Sequence, residues 1–255
     1  MRAEGNVEGA RERAVVDLPQ RRTEKISEVV AREIVHDMRG MTSGSKLPPE
    51  ALMLDKYRVG RASLREALRL LEVQGLIVIR PGPGGGPVVA SVDSRHFARM
   101  ASLYFHLSGA TYRDLVEARL VMEPVMARLA AERQDPQDLA DLQRFVQVEP
   151  EGNEPGQYLR HSTEFHALLS GMSGNPVLDL MGRSLKDLYT DRLEGLIFPD
   201  EARARVQEEH AAIARAIVKG NAARAEKLMR EHMVEFVQFA GQRNPGIFSE
   251  IVDWR

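Results

Sequence analysis

Apolar residues at Ile26, Val29, Val30, Ile34, Val35 and Met38 recur at steps of three and four, the period of an amphipathic helix. Thr23 is the expected N-cap, and Gly40 follows the last turn. SGSKLPPE (43–50) breaks the pattern, and Pro49 is expected as the first residue of a short helix over 50–57. Arg58-Val59-Gly60 reads as a tight turn. A further helix over 61–74 carries Leu64, Ala67, Leu68 and Leu71 on one face, with Gly75 as its C-cap. The β-branched run LIVIR (76–80) predicts a strand. PGPGGGP (81–87) excludes a helix and predicts a turn, and VVA (88–90) returns as a second strand.

Behind Ala90 the pattern is helical throughout. Periodic segments cover 94–107, 111–133, 136–147, 155–171, 175–196, 200–219 and 221–241, separated by Gly, Pro or Asn, and Pro124 predicts a kink inside the second. The fold class expected is therefore mainly α. An N-terminal winged helix-turn-helix (three helices plus a β-hairpin) occupies 21–91, and a seven-helix bundle occupies 92–241. Residues 1–20 are expected to form a flexible arm and 242–255 a C-terminal tail.

Composition narrows the function classes. Of 255 residues, 43% are hydrophobic and 28% charged, the balance of a globular chain. With no cysteine there is no disulfide, thiolate metal cluster or cysteine nucleophile, which fits a reducing, cytoplasmic setting. The longest run without a charged residue, Met100 to Tyr112, is too short to span a bilayer, so no membrane partner is expected. Residues 1–20 lack the apolar stretch of a secretory leader. The net charge of −2 conceals an asymmetry: residues 1–90 hold 15 Lys/Arg against 12 Asp/Glu, and 91–255 hold 20 against 25. A positive front fits a region that meets a polyanion.

A recognition helix docks in the major groove when its inner leucines lock it in place and its outer face carries donors. In 61–74 that outer face carries Arg61, Arg65 and Arg69 at i+4 steps, with Ser63 near the helix N-terminus. Arginine pairs with guanine or phosphate, and a helix N-terminus favours phosphate. The competing reading pairs these arginines with Glu66 and Glu72 on the same surface.

LPPE (47–50), VGRASLREALRLLE (59–72) and GLIVIRPGPGG (75–85) occur in the order and spacing that resemble the winged-helix domain of the GntR family of bacterial transcription regulators. The resemblance implies that Arg61, Ser63 and Arg65 face DNA, with Arg69 and Lys46 beside them, and that Gly82 at the wing tip approaches the minor groove. Gly60 replaces a serine or threonine, removing a capping side chain, and Ala51 replaces an arginine, removing one base contact.

The back of the chain resembles the ligand-binding bundle (FCD type) of the FadR-like branch of that family. The residues that carry this are Arg119 and Glu123; Phe165, His166, Gly174 and Asn175; Glu209, His210, Ala216 and Ile217; and His232. By resemblance, Arg119, Asn175, His166, His210 and His232 bind the effector. In metal-binding members of that branch, histidines at these three positions hold a divalent metal, zinc or nickel, together with an aspartate four residues before the first, so the resemblance implies His166, His210 and His232 as metal ligands. Ser162 stands in that position here, so the site lacks its anionic ligand, and neither His161 nor Glu164 points in Ser162's direction round the helix. Arg119 has two open readings: a bidentate clamp on an effector carboxylate, or an ion pair with Glu123.

The expectation is an effector-responsive regulator, a repressor as is usual in the family, bound as a homodimer to two half-sites of a double-stranded operator. Its effector would be a small organic acid or a fatty acyl compound. Two alternatives remain: a metal-dependent hydrolase with Glu209 or Glu164 as base, and an architectural DNA-binding protein without effector.

Overall fold

The computed structural model describes residues 24–82, 84–91, 93–148, 155–193 and 199–254. The expected arm and Thr23 lie outside them. The chain divides into two compact units between Ser91 and Val92.

The first unit holds α1 (Ile26–Asp37), α2 (Glu50–Tyr57), α3 (Arg61–Val73) and an antiparallel hairpin, β1 (Ile77–Arg80) with β2 (Gly86–Val89). Leu64, Ala67, Leu68 and Leu71 of α3 bury against Val30, Ala31 and Ile34 of α1, with Met53 and Ile77 closing the cluster. The periodic leucine face therefore does what its spacing predicts: it fixes α3 by its inner side and leaves the outer side free. Several boundaries differ from expectation: Lys25, not Thr23, is the N-cap of α1, and the first strand begins at Ile77. Pro49 is the N-cap of α2, not its first helical residue, because its backbone stays extended (ψ 148°). The C-cap of α3 is Gln74, with Gly75 one residue beyond at φ +72°. The second strand begins at Gly86 because Arg80 and Ile79 find partners in Gly86 and Pro87.

The second unit is α4 (Ser94–Ser108), α5 (Tyr112–Arg133), α6 (Pro136–Gln147), α7 (Pro155–Met172), α8 (Pro176–Leu193), α9 (Asp200–Val218) and α10 (Ala222–Arg243). Thr111 and Asp114 form a reciprocal capping box that starts α5, and Asp135 with Pro136 starts α6. α5, with Pro124 inside it, packs against α7, α8, α9 and α10 and is the central helix. One apolar cluster gathers Ala127, Leu142, Phe165, Ile213, Met229 and Met233. A second gathers Leu115, Leu159, Tyr189 and Ala240 with Ile247, Phe248 and Val252. The residues after α10 thus belong to the bundle core, and Val252 N donates to Ala110 O while Tyr112 N donates to Glu250 O.

Candidate functional site

On the first unit, α3 presents Arg61, Arg65 and Arg69 as exposed side chains, with Ser63 half-buried beside them. The pairing with Glu66 and Glu72 does not occur. Arg65 lies 3.6 Å from Glu50, Glu72 accepts from Ile79 N, and Arg61 and Arg69 have no ion-pair partner among the described residues. An arginine without a carboxylate keeps its full donor set for another anion. Lys46 Nζ donates to Gly84 O at 2.7 Å and ties the approach to α2 to the hairpin turn. Gly82, at φ +91°, is exposed in that turn. Lys46, Arg65 and Arg69 line one open groove of about 930 Å³ between α3 and the hairpin, together with Gly84 to Pro87. Gly60 caps α3 without a side-chain bond, as its missing hydroxyl requires.

In the bundle, α7, α9 and α10 each send one imidazole inward. His166, His210 and His232 are all buried, and their ligand atoms lie within 4.8 Å of one another. His232 Nε2 is 3.2 Å from His210 Nε2 and 3.4 Å from His166 Nε2. Two nitrogens bound to one ion at about 2.1 Å sit roughly 3.0–3.4 Å apart, so these separations match the edges of a metal polyhedron.

The supporting carboxylates orient the rings. His166 Nδ1 donates to Glu123 Oε2, and His232 Nδ1 donates to Glu209 Oε2 at 2.7 Å. With each Nδ1 turned to its carboxylate, the two Nε2 atoms face each other, and in the tautomer this favours they do so as acceptors. Two facing acceptors need a cation or a proton donor between them, and that is how these residues fit a metal.

The charges agree with this arrangement. Burial holds His166 below the usual imidazole pKa although Glu123 pulls the other way, and burial followed by the neighbouring histidines holds His210 well below it. Burial opposes the charge on Glu123, yet Arg119 and then His166 outweigh it, and its pKa falls to about 2. The rings of His166 and His210 are thus neutral ligands and Glu123 is an anion.

Both readings of Arg119 meet here. Its Nε donates to Glu123 Oε1 at 2.6 Å, inside the bundle, which is the ion pair. Its guanidinium also stacks 5.0 Å over the Tyr189 ring and lines a small chamber with Ser162, Thr163, His166, Tyr189 and His232. The buried Tyr189 hydroxyl has no hydrogen-bond partner among the described residues. An unpaired buried donor is costly, so the chamber is chemically primed for an acceptor. At about 20 Å³ it has room for a water, and an organic acid needs the surrounding helices to spread.

Other expected residues fall elsewhere. Asn175 does not join the chamber: it is exposed, and its Oδ1 accepts from Val177 N and Leu178 N at the start of α8. Its role is that of a helix cap, which a side chain this short cannot combine with reaching the histidines. Ser162 does border the chamber, beside His166. His161 stacks on Phe145, and Glu164 turns to Lys186 at 3.3 Å, so neither replaces Ser162. Glu123 and Glu209, anticipated as an ion-pair partner and a catalytic base, act as acceptors that orient imidazoles. Tyr189 carried no sequence signal, since an aromatic at helical spacing reads as core.

Comparison with known proteins agrees with both halves. The family profile described as bacterial regulatory proteins, gntR family, matches residues 26–85, and the FCD domain profile matches 114–235. The uncharacterized HTH-type transcriptional regulator YcbG of Bacillus subtilis is 30% identical over 220 residues, covering 86% of this chain and 90% of its own. The HTH-type transcriptional repressor NanR of Cronobacter sakazakii is 27% identical and covers 82% of this chain and 83% of its own. A solved structure of Streptococcus agalactiae GntR has a TM-score of 0.64 at 25% identity, covering 83% of this chain and 99% of that one. The hydrolase alternative finds no support among these relatives, and no described helix is long and apolar enough to cross a membrane. With a helix-turn-helix unit in front and an FCD unit behind, the chain belongs to the GntR family of bacterial regulatory proteins: it is a transcription regulator with an effector-binding domain, not an enzyme.

Proposed function

We propose that this regulator is a cytoplasmic homodimeric repressor whose operator affinity is set by a small carboxylate entering the bundle chamber. The observation that carries the proposal is the buried meeting of three imidazoles, two of which, His166 and His232, border one small chamber with the Arg119 guanidinium and the unpartnered Tyr189 hydroxyl. A divalent zinc or nickel ion held by His166, His210 and His232 would supply positive charge for an anionic ligand. Arg119 would take a carboxylate through its terminal nitrogens while Nε stays on Glu123, which keeps the guanidinium oriented. Asn175 has no part in it. With Ser162 in place of the family's aspartate, a bound metal would lack that anionic ligand, and an effector carboxylate would supply the negative charge in its stead.

The DNA reading assigns base or phosphate contacts to Arg61, Ser63, Arg65, Arg69 and Lys46, with Gly82 letting the hairpin turn come close to the minor groove. Two copies would place two such helices on half-sites about one helical turn apart. Selection from genomic fragments at fixed salt tests this: a recurrent two-half-site sequence should emerge. Adding zinc and a panel of mono-, di- and tricarboxylates should then weaken binding for at least one of them. Failure to enrich any site overturns the DNA reading, and an operator affinity insensitive to the whole panel overturns the carboxylate reading.

A further inference from the structure

Helix α4 is packed the opposite way round from an ordinary surface helix. Its buried face against the bundle carries small residues, Ala98 and Ser102, and Ser94 Oγ donates to Asp187 of α8 at 2.7 Å. Phe105 packs against the bundle beside them, but four large apolar residues point outward: Phe97 is 37% exposed, Met100 46%, Tyr104 67% and Leu107 75%. Their spacing of three, four and three residues is that of the a and d positions of a coiled-coil seam. A side chain of this size presents about 200 Å² when free, so the four together expose on the order of 400 Å². A ridge of that size marks an interaction site on a soluble protein, and it is about half of what one partner contributes to a standard interface.

We propose that this ridge is the contact between two copies of the chain, with α4 lying antiparallel against α4 of a second protomer across a two-fold axis. The inference rests on the homodimeric reading above and adds which face joins the copies. A heptad seam packs best against another helix of the same period, and a two-fold dimer supplies one by using the same patch on both sides. Charge points the same way. The seam and the positions flanking it (His96, Ala101, Leu103, Ser108) contain no Lys, Arg, Asp or Glu, so a second copy meets no like-charge repulsion. A nucleic acid or a charged peptide would find nothing to pair with there. The antiparallel sense follows from size. It sets Phe97 against Leu107 of the partner subunit and Met100 against Tyr104 of the partner subunit, one aromatic with one flexible aliphatic at every level. A parallel pair would stack each residue on itself and align the two helix dipoles unfavourably.

Sedimentation analysis of the full chain and of Tyr104→Asp/Leu107→Asp tests the face. Both side chains are mostly in solvent in the single chain, so the variant should keep its helical circular dichroism and lose only the concentration-dependent part of its melting temperature that the partner supplies. The wild type should be a dimer and the variant should dissociate at least about 100-fold more readily, two charges having been placed in a dry seam. A dimer of undiminished affinity in the variant overturns the assignment of this face and leaves the dimeric reading standing; a monomeric wild type overturns both. The absence of cysteine allows an independent test of orientation. In Phe97→Cys/Leu107→Cys the two thiols lie ten residues, or about 15 Å, apart on one helix, too far for an internal disulfide. Oxidation should give a covalent dimer in the double variant and none in either single variant. Cross-linking of Phe97→Cys alone, or none in the double variant, overturns the antiparallel pairing.

Discussion

The two units place their chemistry on opposite sides of their helices. On α3 the leucines face inward and the arginines face water, so Arg61 and Arg69 cost nothing to leave unpaired. On α5, α7, α9 and α10 the polar groups face inward among Phe165, Met229 and Met233, where each must find a partner. That is why the bundle site comes with a scaffold of its own, Glu123 beneath His166 and Arg119 and Glu209 beneath His232, while the α3 surface needs none. A surface site can be changed residue by residue. A buried one is a network, and removing one member leaves the others stranded.

The sharpest test of this contrast is Glu123→Ala. It strands Arg119 in the core and takes the acceptor from His166, so the bundle should lose about 3–5 kcal/mol by denaturant titration. A loss below about 1 kcal/mol would erase the distinction between the two sites. Arg61→Ala and Arg65→Ala should each cost roughly 1–3 kcal/mol of operator affinity at matched salt. Their stability should not move, because neither side chain is in the leucine cluster; unchanged affinity in both removes α3 from the DNA contact. Ser162→Asp should strengthen zinc or nickel binding to the chelator-stripped chain by about tenfold or more, since even a change one shell out alters metal affinity by about 10–100-fold. Equal affinities in the two proteins would place residue 162 outside the ligand set. The smallest effect is expected for Asn175→Ala: a loss of about 1 kcal/mol of stability from the missing α8 cap, with metal affinity unaltered. A fall in metal affinity there would return Asn175 to the site.

The order of elements, the leucine face of α3, the hairpin and the seven helices of the bundle were all legible as periodicity broken by Gly, Pro and Asn, because each depends on residues a few positions apart. So was the outward set Arg61, Arg65 and Arg69, since knowing which face is buried tells which is not. The chamber was legible only as scattered candidates. His166 and His232 stand 66 residues apart, and nothing in either local pattern says that their rings meet at 3.4 Å. Asn175 was misplaced because a Gly-Asn pair before a helix serves as a cap as readily as a ligand. Tyr189, Phe248 and Val252 gave no signal: the first resembles any core aromatic, and the other two follow the last long helix in a stretch without period. Hydrophobic period therefore determined which residues form helices and which face of each is dry. Which polar groups share the dry interior, and which carboxylate holds which ring, was decided by the packing of α5 against α7, α9 and α10, where burial makes an unpartnered charge too costly to keep.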